Sequence, residues 1–333
     1  MLISFLVLLL CHTGAWAHSV NVLIVKHAAR VNLSFAQNYA IVIGKHFYGP
    51  VSAKNQLQLV STSKGIQITV ANAKTKIRRP LTTTREPIHL VRSLGTSVNF
   101  RWPTPMSALK KKPLPPFLKW QQFPAQRGEF ATIRHPAFGG DITYNGPLTV
   151  FQKSGINIVE TAELEDYVTH VVNCELGSET SIHALKAQSI MARTFALYMV
   201  QDRLQALESG NLNWQFFQLR SSTSDQAYNC RKRVNDQELP NDLVKRAARE
   251  TAGLVLLKNN ELAKVHYNAT IAGKDTISQA EVVKRARAGR SYKNILQSFV
   301  PGSRIGRYNL SAVCTQAVKA LFRNSSYNKR ASK

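Results

Sequence analysis

Carboxylates are scarce in this chain and unevenly placed. The 333 residues carry 44 Lys+Arg against 19 Asp+Glu, a net charge of +25. Six of the nineteen acids nevertheless fall between residues 160 and 179: Glu160, Glu163, Glu165, Asp166, Glu175 and Glu179. Acids near helix N-termini complement the helix dipole, so part of this island is expected to be structural. Glu175 differs from the rest. It follows Val171-Val172-Asn173-Cys174 and precedes Leu176-Gly177, where a mostly apolar helix end meets a loop. A carboxyl group so placed can act as a general acid. The chain has no nucleophile elbow, HExxH, GxGxxG or phosphate loop. His170 near Cys174 and His266 near Cys230 lack the further ligands that a metal site or a nucleophile pair would need.

Secondary structure must position these groups. Residues 18–102 read as a β-rich module, a small sandwich or barrel. Short β-branched runs (22–25, 39–43, 57–60, 66–70, 88–91, 98–100) alternate with Gly44, Gly65, Asn72, Pro80 and Gly95. Residues 103–138 read as a proline-rich linker or excursion. Its first part, 103–124, holds six of the thirteen prolines and Lys110-Lys111-Lys112. Trp102, Phe117, Trp120 and Phe123 are interspersed there, to pack on the domain or to stack on sugar faces. A second domain, 139–305, starts with strands. Asp141–Asn145 and Leu148–Phe151 are expected as a hairpin about Asn145-Gly146.

The chain then turns helical, with a short helix over Leu164–Val172 and a longer one from Ser181 or Ile182. Leu185, Ala192, Phe195, Ala196 and Met199 mark the apolar side of the longer helix. Lys186 and Arg193 share one of its faces, two turns apart. Asn241 and Gly253 bracket a further helix, and Asn259-Asn260 turns a hairpin. Ser278 with Glu281 forms a capping box, and Ser291 caps Tyr292–Phe299. Residues 306–333 form a basic tail.

The fold class expected is α+β: a β-rich N-terminal half, then a mixed helix/strand domain with a cleft. At 44% hydrophobic residues the chain can bury cores, and its length suits about two domains. Residues 1–17 read as a signal peptide, with Leu2–Leu10 as the apolar core and Ala15-Trp16-Ala17 as the cleavage site. A lipidated Cys11 is the alternative. An exported, periplasmic or wall-associated protein is therefore expected. Export leaves Cys174, Cys230 and Cys314, either as one disulfide plus a thiol or as three reduced residues. After the signal peptide no apolar run approaches the ~20 residues needed to span a membrane. A charge of +25 points to a polyanionic partner, such as wall glycan, anionic lipid or DNA, or simply to a solvated basic surface. No nucleic-acid-binding motif is present.

Four blocks, in order, carry a resemblance. The first is Tyr144-Asn145-Gly146-Pro147-Leu148-Thr149-Val150 with Glu163-Leu164-Glu165-Asp166-Tyr167-Val168. The second is Val172-Asn173-Cys174-Glu175-Leu176, followed by 184–197, which begins Ala184-Leu185-Lys186-Ala187-Gln188 and continues through Ala192-Arg193-Thr194-Phe195. The third is Asp225-Gln226-Ala227-Tyr228 with 247–257. The fourth is Ile277-Ser278-Gln279-Ala280, Ser291-Tyr292 and Val300-Pro301-Gly302. Over roughly residues 140–305 the chain resembles the stage II sporulation protein D/amidase-enhancer family, the SpoIID/LytB-type domain. It departs from the family pattern near residue 276. There Thr270–Thr276 runs directly into Ile277-Ser278-Gln279, without the family's long intervening segment and G-H-G-x-G run.

The resemblance implies peptidoglycan lytic transglycosylase activity, or a non-catalytic wall-binding or hydrolase-regulating role. The family's catalytic glutamate falls on Glu175. One carboxyl group suffices for such chemistry, because the muramyl 6-hydroxyl serves as nucleophile. Ordinary glycosidases need two acids. No metal and no cofactor are required. Lys186, Gln188, Arg193, Thr194, Gln226, Tyr228, Ser278 and Gln279 match polar positions of the family and are expected along the groove. For Arg193 the alternative is an ion pair with the acidic helix, and for Ser278 a purely N-capping role. Expected partners are peptidoglycan strands and a wall amidase or other wall hydrolase.

Overall fold

Strand Arg30–Phe35 shows the rule that builds the N-terminal half: Val31, Leu33 and Phe35 are buried while Arg30, Asn32 and Ser34 are not. Such period-2 alternation gives a sheet one apolar face. The computed structural model describes residues 19–44, 46–72, 74–75, 77–92, 112–113, 129–135, 140–177, 179, 181–229, 241–269 and 276–308. The signal peptide, most of the proline-rich stretch, the run 98–100, Cys230, Cys314 and the tail beyond residue 308 lie outside these residues. The fold is α+β, as expected.

The chain divides into two compact units, the first formed by the described residues between Asn21 and Ala162. Its strands are β1 (Ser19–Ala28), β2 (Arg30–Phe35), β3 (Tyr39–Ile43), β4 (His46–Val51), β5 (Asn55–Thr62), β6 (Gly65–Asn72), β7 (Arg78–Thr84), β8 (Ile88–Arg92), β9 (Lys112–Pro113), β10 (Ala131–His135), β11 (Gly140–Tyr144), β12 (Leu148–Gln152) and β13 (Ile156–Glu163). They form one sheet ordered β1-β13-β12-β8-β3-β4-β9 and another ordered β11-β10-β2-β5-β6-β7. Phe35 of one sheet stacks on Tyr39 of the other at 3.6 Å. Ile41, Leu90 and Val150 of the first sheet and Leu33, Leu57 and Ile68 of the second are all buried.

Two findings revise the sequence reading of this half. The end of the stretch read as linker supplies β10, which pairs with both β2 and β11. And Asn145-Gly146 does not turn a hairpin. β11 pairs with β10 while β12 pairs with β13 and β8, so the chain changes sheet at this point. Glu160 is the physical reason. Its buried Oε1 accepts from both Asn145 N and Gly146 N, each at 3.0 Å. Gly146 has to be glycine, since a Cβ would lie 2.0 Å from the Thr161 carbonyl oxygen.

The second unit takes in the described residues from Glu163 to Asn229 and from Asn241 onward. It holds helices α1 (Leu164–Leu176), α2 (Ile182–Glu208), α3 (Asp242–Glu250), α4 (Gln279–Arg287) and α5 (Tyr292–Phe299), with strands β14 (Leu219–Arg220), β15 (Leu254–Lys258), β16 (Glu261–Leu262), β17 (His266–Asn268), β18 (Thr276–Ser278) and β19 (Arg304–Arg307). β15 lies between β16 and β19, and β17 pairs with β18 in parallel. The caps read from sequence are present: Asn241 Oδ1 accepts from Val244 N at 2.8 Å, and Ser278 and Ser291 cap α4 and α5. Asn259 and Asn260 both take positive φ in the β15–β16 turn.

α2 is the axis of this unit. An apolar stripe with a wet face was expected, but from Ala187 to Leu197 the helix is buried on all sides, Gln188, Ser189, Arg193 and Thr194 included. Three of these polar residues, Ser189, Arg193 and Thr194, find partners inside the unit. Ser189 and Thr194 donate to the carbonyls one turn back at 2.8 and 2.6 Å, and Thr194 Oγ1 accepts from Leu256 N at 2.9 Å. Ala187, Ile190 and Met191 pack against Ile277 and Val282 before and within α4, and against Ile295 and Leu296 of α5.

Candidate functional site

Glu175 occupies the last turn of α1, which runs one turn further than the sequence suggested. The helix stops at Gly177, where a Cβ would lie 2.3 Å from the Asn173 carbonyl oxygen. Asn241 Nδ2 donates to the freed Gly177 carbonyl at 2.6 Å, while the same side chain caps α3. One asparagine thus ties the end of the glutamate's helix to the start of another.

Both oxygens of the half-buried Glu175 carboxylate are held. Oε1 accepts from the backbone N of Ala227 at 3.3 Å, and Oε2 accepts from Gln279 Nε2 at 3.1 Å. Glu175 opens onto a cavity of about 540 Å³ whose apolar lining is Leu176, Ala269, Ala280 and Val283, with Lys284 and Arg287 at its edge. Gln279 reaches the carboxylate because β18 delivers it there. Its neighbour Ser278 ends the strand and caps α4, leaving Gln279 as the first helical residue.

The Ala227 amide is aimed by the side chains around it, those of Asp225, Gln226 and Tyr228. Asp225 forms a buried fork with Arg203 of α2, at 2.6 Å on each arm, and accepts from Arg220 N at 2.7 Å. Gln226, also buried, accepts from Tyr167 Oη at 2.9 Å and donates to the Ala192 carbonyl at 3.2 Å and to Tyr267 Oη at 2.5 Å. Tyr228 packs its ring on Tyr167, centroids 4.8 Å apart. Burial, reinforced by the charge of Glu175, pushes the Tyr267 phenol well above its usual range, and burial does the same to Tyr167. Both hydroxyls therefore stay protonated and keep their hydrogen-bonding roles at neutral pH.

The residues expected along the groove divide accordingly. Gln279 touches Glu175. Gln226 and Tyr228 stand behind it and shape the loop that supplies the Ala227 amide. Gln188 is fully buried in α2. Ser278 takes its N-capping role. Arg193 is 0% exposed, so no substrate reaches it. Its guanidinium forks onto Glu165 at 2.9 and 2.5 Å and donates to the Leu254 carbonyl at 3.0 Å, and Glu165 Oε1 also accepts from Gly253 N at 3.1 Å. The ion pair with the acidic helix is thus the alternative that the fold adopts. Lys186 does share a face with Arg193, but that face meets α3: its Nζ pairs with Glu250 at 2.5 Å. Arg246, then Lys186, hold the Glu250 carboxyl down at about 2. Thr194 is spent on the α2–β15 contact.

The other acids of the island have separate duties. Glu160 holds the sheet change, Glu165 the Arg193 fork, and Glu179 accepts from Ser181 N at 2.7 Å and from Arg287 Nη2 at 2.9 Å. Among the described residues, Glu175 is the acid that lines the cavity. Sequence reading missed Arg203 and Tyr267, which have no local signature. It also missed Lys284 and Arg287, although their spacing from Ala280 placed them on one helix face. No cluster of ligating side chains that could hold a metal ion occurs among the described residues, and no described helix is long and apolar enough to cross a membrane.

None of the curated proteins compared matches this chain. The family model described as stage II sporulation protein, SpoIID, matches residues 152–257, a span that includes α1, Glu175, the whole of α2 and the Asp225–Tyr228 loop. Over residues 152–257 the chain is thus similar to the SpoIID domain, which is linked to cell-wall-related function.

Proposed function

We propose that this domain is a peptidoglycan lytic transglycosylase that cleaves the bond between N-acetylmuramic acid and N-acetylglucosamine, with Glu175 as its one general acid/base. The observation that carries this reading is the Glu175 carboxylate, gripped by Ala227 N and Gln279 Nε2 and set on an open cavity that no second described carboxylate lines. A water-activating or adduct-forming mechanism needs a paired acid. A single acid fits a reaction in which the substrate brings its own nucleophile.

In the protonated form Glu175 gives its proton to the glycosidic oxygen as the bond from C1 to that oxygen breaks. As carboxylate it then takes the proton of the muramyl 6-hydroxyl while O6 bonds to C1, closing the 1,6-anhydro ring. The carboxyl group ends protonated and ready for the next bond, and no water is consumed. The Ala227 amide and Gln279 fix both oxygens, so the group meets both substrate atoms without reorienting. The apolar lining of Leu176, Ala280 and Val283 suits a sugar face or an acetamido methyl. The signal-peptide reading puts this activity outside the cytoplasmic membrane, in the periplasm or at the wall.

A second reading, wall binding or regulation of a wall hydrolase without turnover, is favoured by one feature. Only seven residues separate β17 from β18, where the family carries a long segment. Digestion of purified glycan strands by the full chain and by Glu175→Gln separates the two. Products with 1,6-anhydromuramyl ends, seen by mass for the parent and absent for the variant, are expected. Strands bound but left intact by both proteins would establish the second reading.

A further inference from the structure

A strand that carries carboxylates is held at the Glu175 cavity best where cations stand beside it. The cations that the sequence offered for this task, Lys186 and Arg193, are committed elsewhere. α4 supplies others. Gln279, Ala280, Val283, Lys284 and Arg287 all line the Glu175 cavity, the spacing of one helix face. We propose that Lys284 and Arg287 form a carboxylate-binding subsite beside Glu175, which reads the acidic group carried by the muramyl residue. This rests on the glycan-cleaving reading above.

Three observations support it. First, both side chains are open to an incoming ligand: that of Lys284 is 79% exposed, 3.8 Å from Glu281, and that of Arg287 is 66% exposed. Second, Arg287 is anchored without being used up. One amino group donates to Glu179 Oε2 at 2.9 Å, and Glu179 is itself nearly buried and bonded to Ser181 N at 2.7 Å, which leaves the other guanidinium edge for a ligand. Third, the neighbouring Arg285 shows what a structural arginine looks like on this helix. It bonds Glu281 at 2.9 Å and Ser298 at 2.6 Å and lies 4.4 Å over the Phe299 ring, away from the cavity.

The carboxylate has two sources: the muramyl lactyl group on a peptide-free strand, or the acids of an attached peptide. Binding of the full chain is measured to three preparations: peptide-free strands, the same strands with lactyl carboxylates converted to methylamides, and peptide-bearing strands. Digestion products are read in parallel. The amidated strands are expected to bind weaker by about tenfold or more, the scale of a lost charge-assisted contact. That difference should vanish in Lys284→Gln/Arg287→Gln, survive in Lys284→Arg/Arg287→Lys, and survive in Lys54→Gln/Lys64→Gln, a pair of exposed lysines in the other unit. A preference for peptide-free strands assigns the lactyl group, and one confined to peptide-bearing strands assigns the peptide. Equal binding of all three, or a preference that outlives Lys284→Gln/Arg287→Gln, overturns the subsite even while anhydro products form. Absence of both binding and products overturns the subsite together with the reading on which it rests.

Discussion

Glu175 illustrates how little of a site belongs to the residue that names it. Its carboxylate is placed by a backbone amide, and that amide is placed by Gln226, whose side chain meets Tyr167, Tyr267 and the Ala192 carbonyl at once. Gln226→Leu takes the acceptor from the buried Tyr167 hydroxyl, and a buried polar group left unpaired costs ~1–3 kcal/mol. The variant is expected to lose about 1–3 kcal/mol of stability in urea titration. Under conditions where it stays folded, its turnover should fall about tenfold or more with KM nearly unchanged, because the Ala227 amide no longer aims the carboxylate. Arg193 teaches the converse. A cation in the most family-like helix looked available for substrate, but a fully buried guanidinium on Glu165 works as structure. Sequence spacing predicted the shared face of Lys186 and Arg193 correctly. It held no information on what that face meets, since Glu165, Glu250 and Leu254 lie far away along the chain.

At the scale of elements, the caps were legible and the pairings were not. Ser278, Ser291 and Asn241 act on residues three positions away, so local sequence suffices to find them. The β11–β12 hairpin failed because Glu160, some fifteen residues on, accepts the two amides of the expected turn. Strand β8 carries a testable consequence of burial. Burial holds the His89 imidazole down at about 4, where it sits 3.0 Å from Thr149 Oγ1 of β12. An unfolded histidine titrates near ~6.5, so below that pH the unfolded chain binds the extra proton and the fold does not. Stability from this site is therefore complete above about pH 6.5 and declines toward pH 4, by about 3 kcal/mol over the window. Hydrogen exchange of the β8 and β12 amides, corrected for intrinsic rates, should show protection falling across that range. His89→Gln, which keeps a hydrogen-bonding group, should flatten the curve.

At the scale of the whole molecule, 44 basic against 19 acidic side chains set the terms of any encounter with an anionic wall. Long-range attraction steers approach and is screened over ~10 Å at 0.1 M salt. Affinity for anionic glycan strands is expected to fall about tenfold or more between 0.05 and 0.5 M NaCl, whereas an uncharged chitin-type glycan should show almost no slope. A flat response for both would mean that the net charge contributes nothing to binding.

The sequence by itself determined the α+β class, the helix caps and the likeness to the SpoIID domain over residues 152–257, and it singled out Glu175 as the candidate acid. These are properties of local periodicity, of residues a turn apart, or of motifs contiguous in the chain. Tertiary structure alone decided which polar residues touch the glutamate and which are consumed as internal partners. It brought Ala227 and Gln279 to Glu175 across 52 and 104 residues of chain. It buried Arg193, and it left Lys284 and Arg287 at the cavity edge. A buried polar group must find a partner, and a group at a cavity edge need not. Which case holds depends on how α1, α2 and α4 pack against one another.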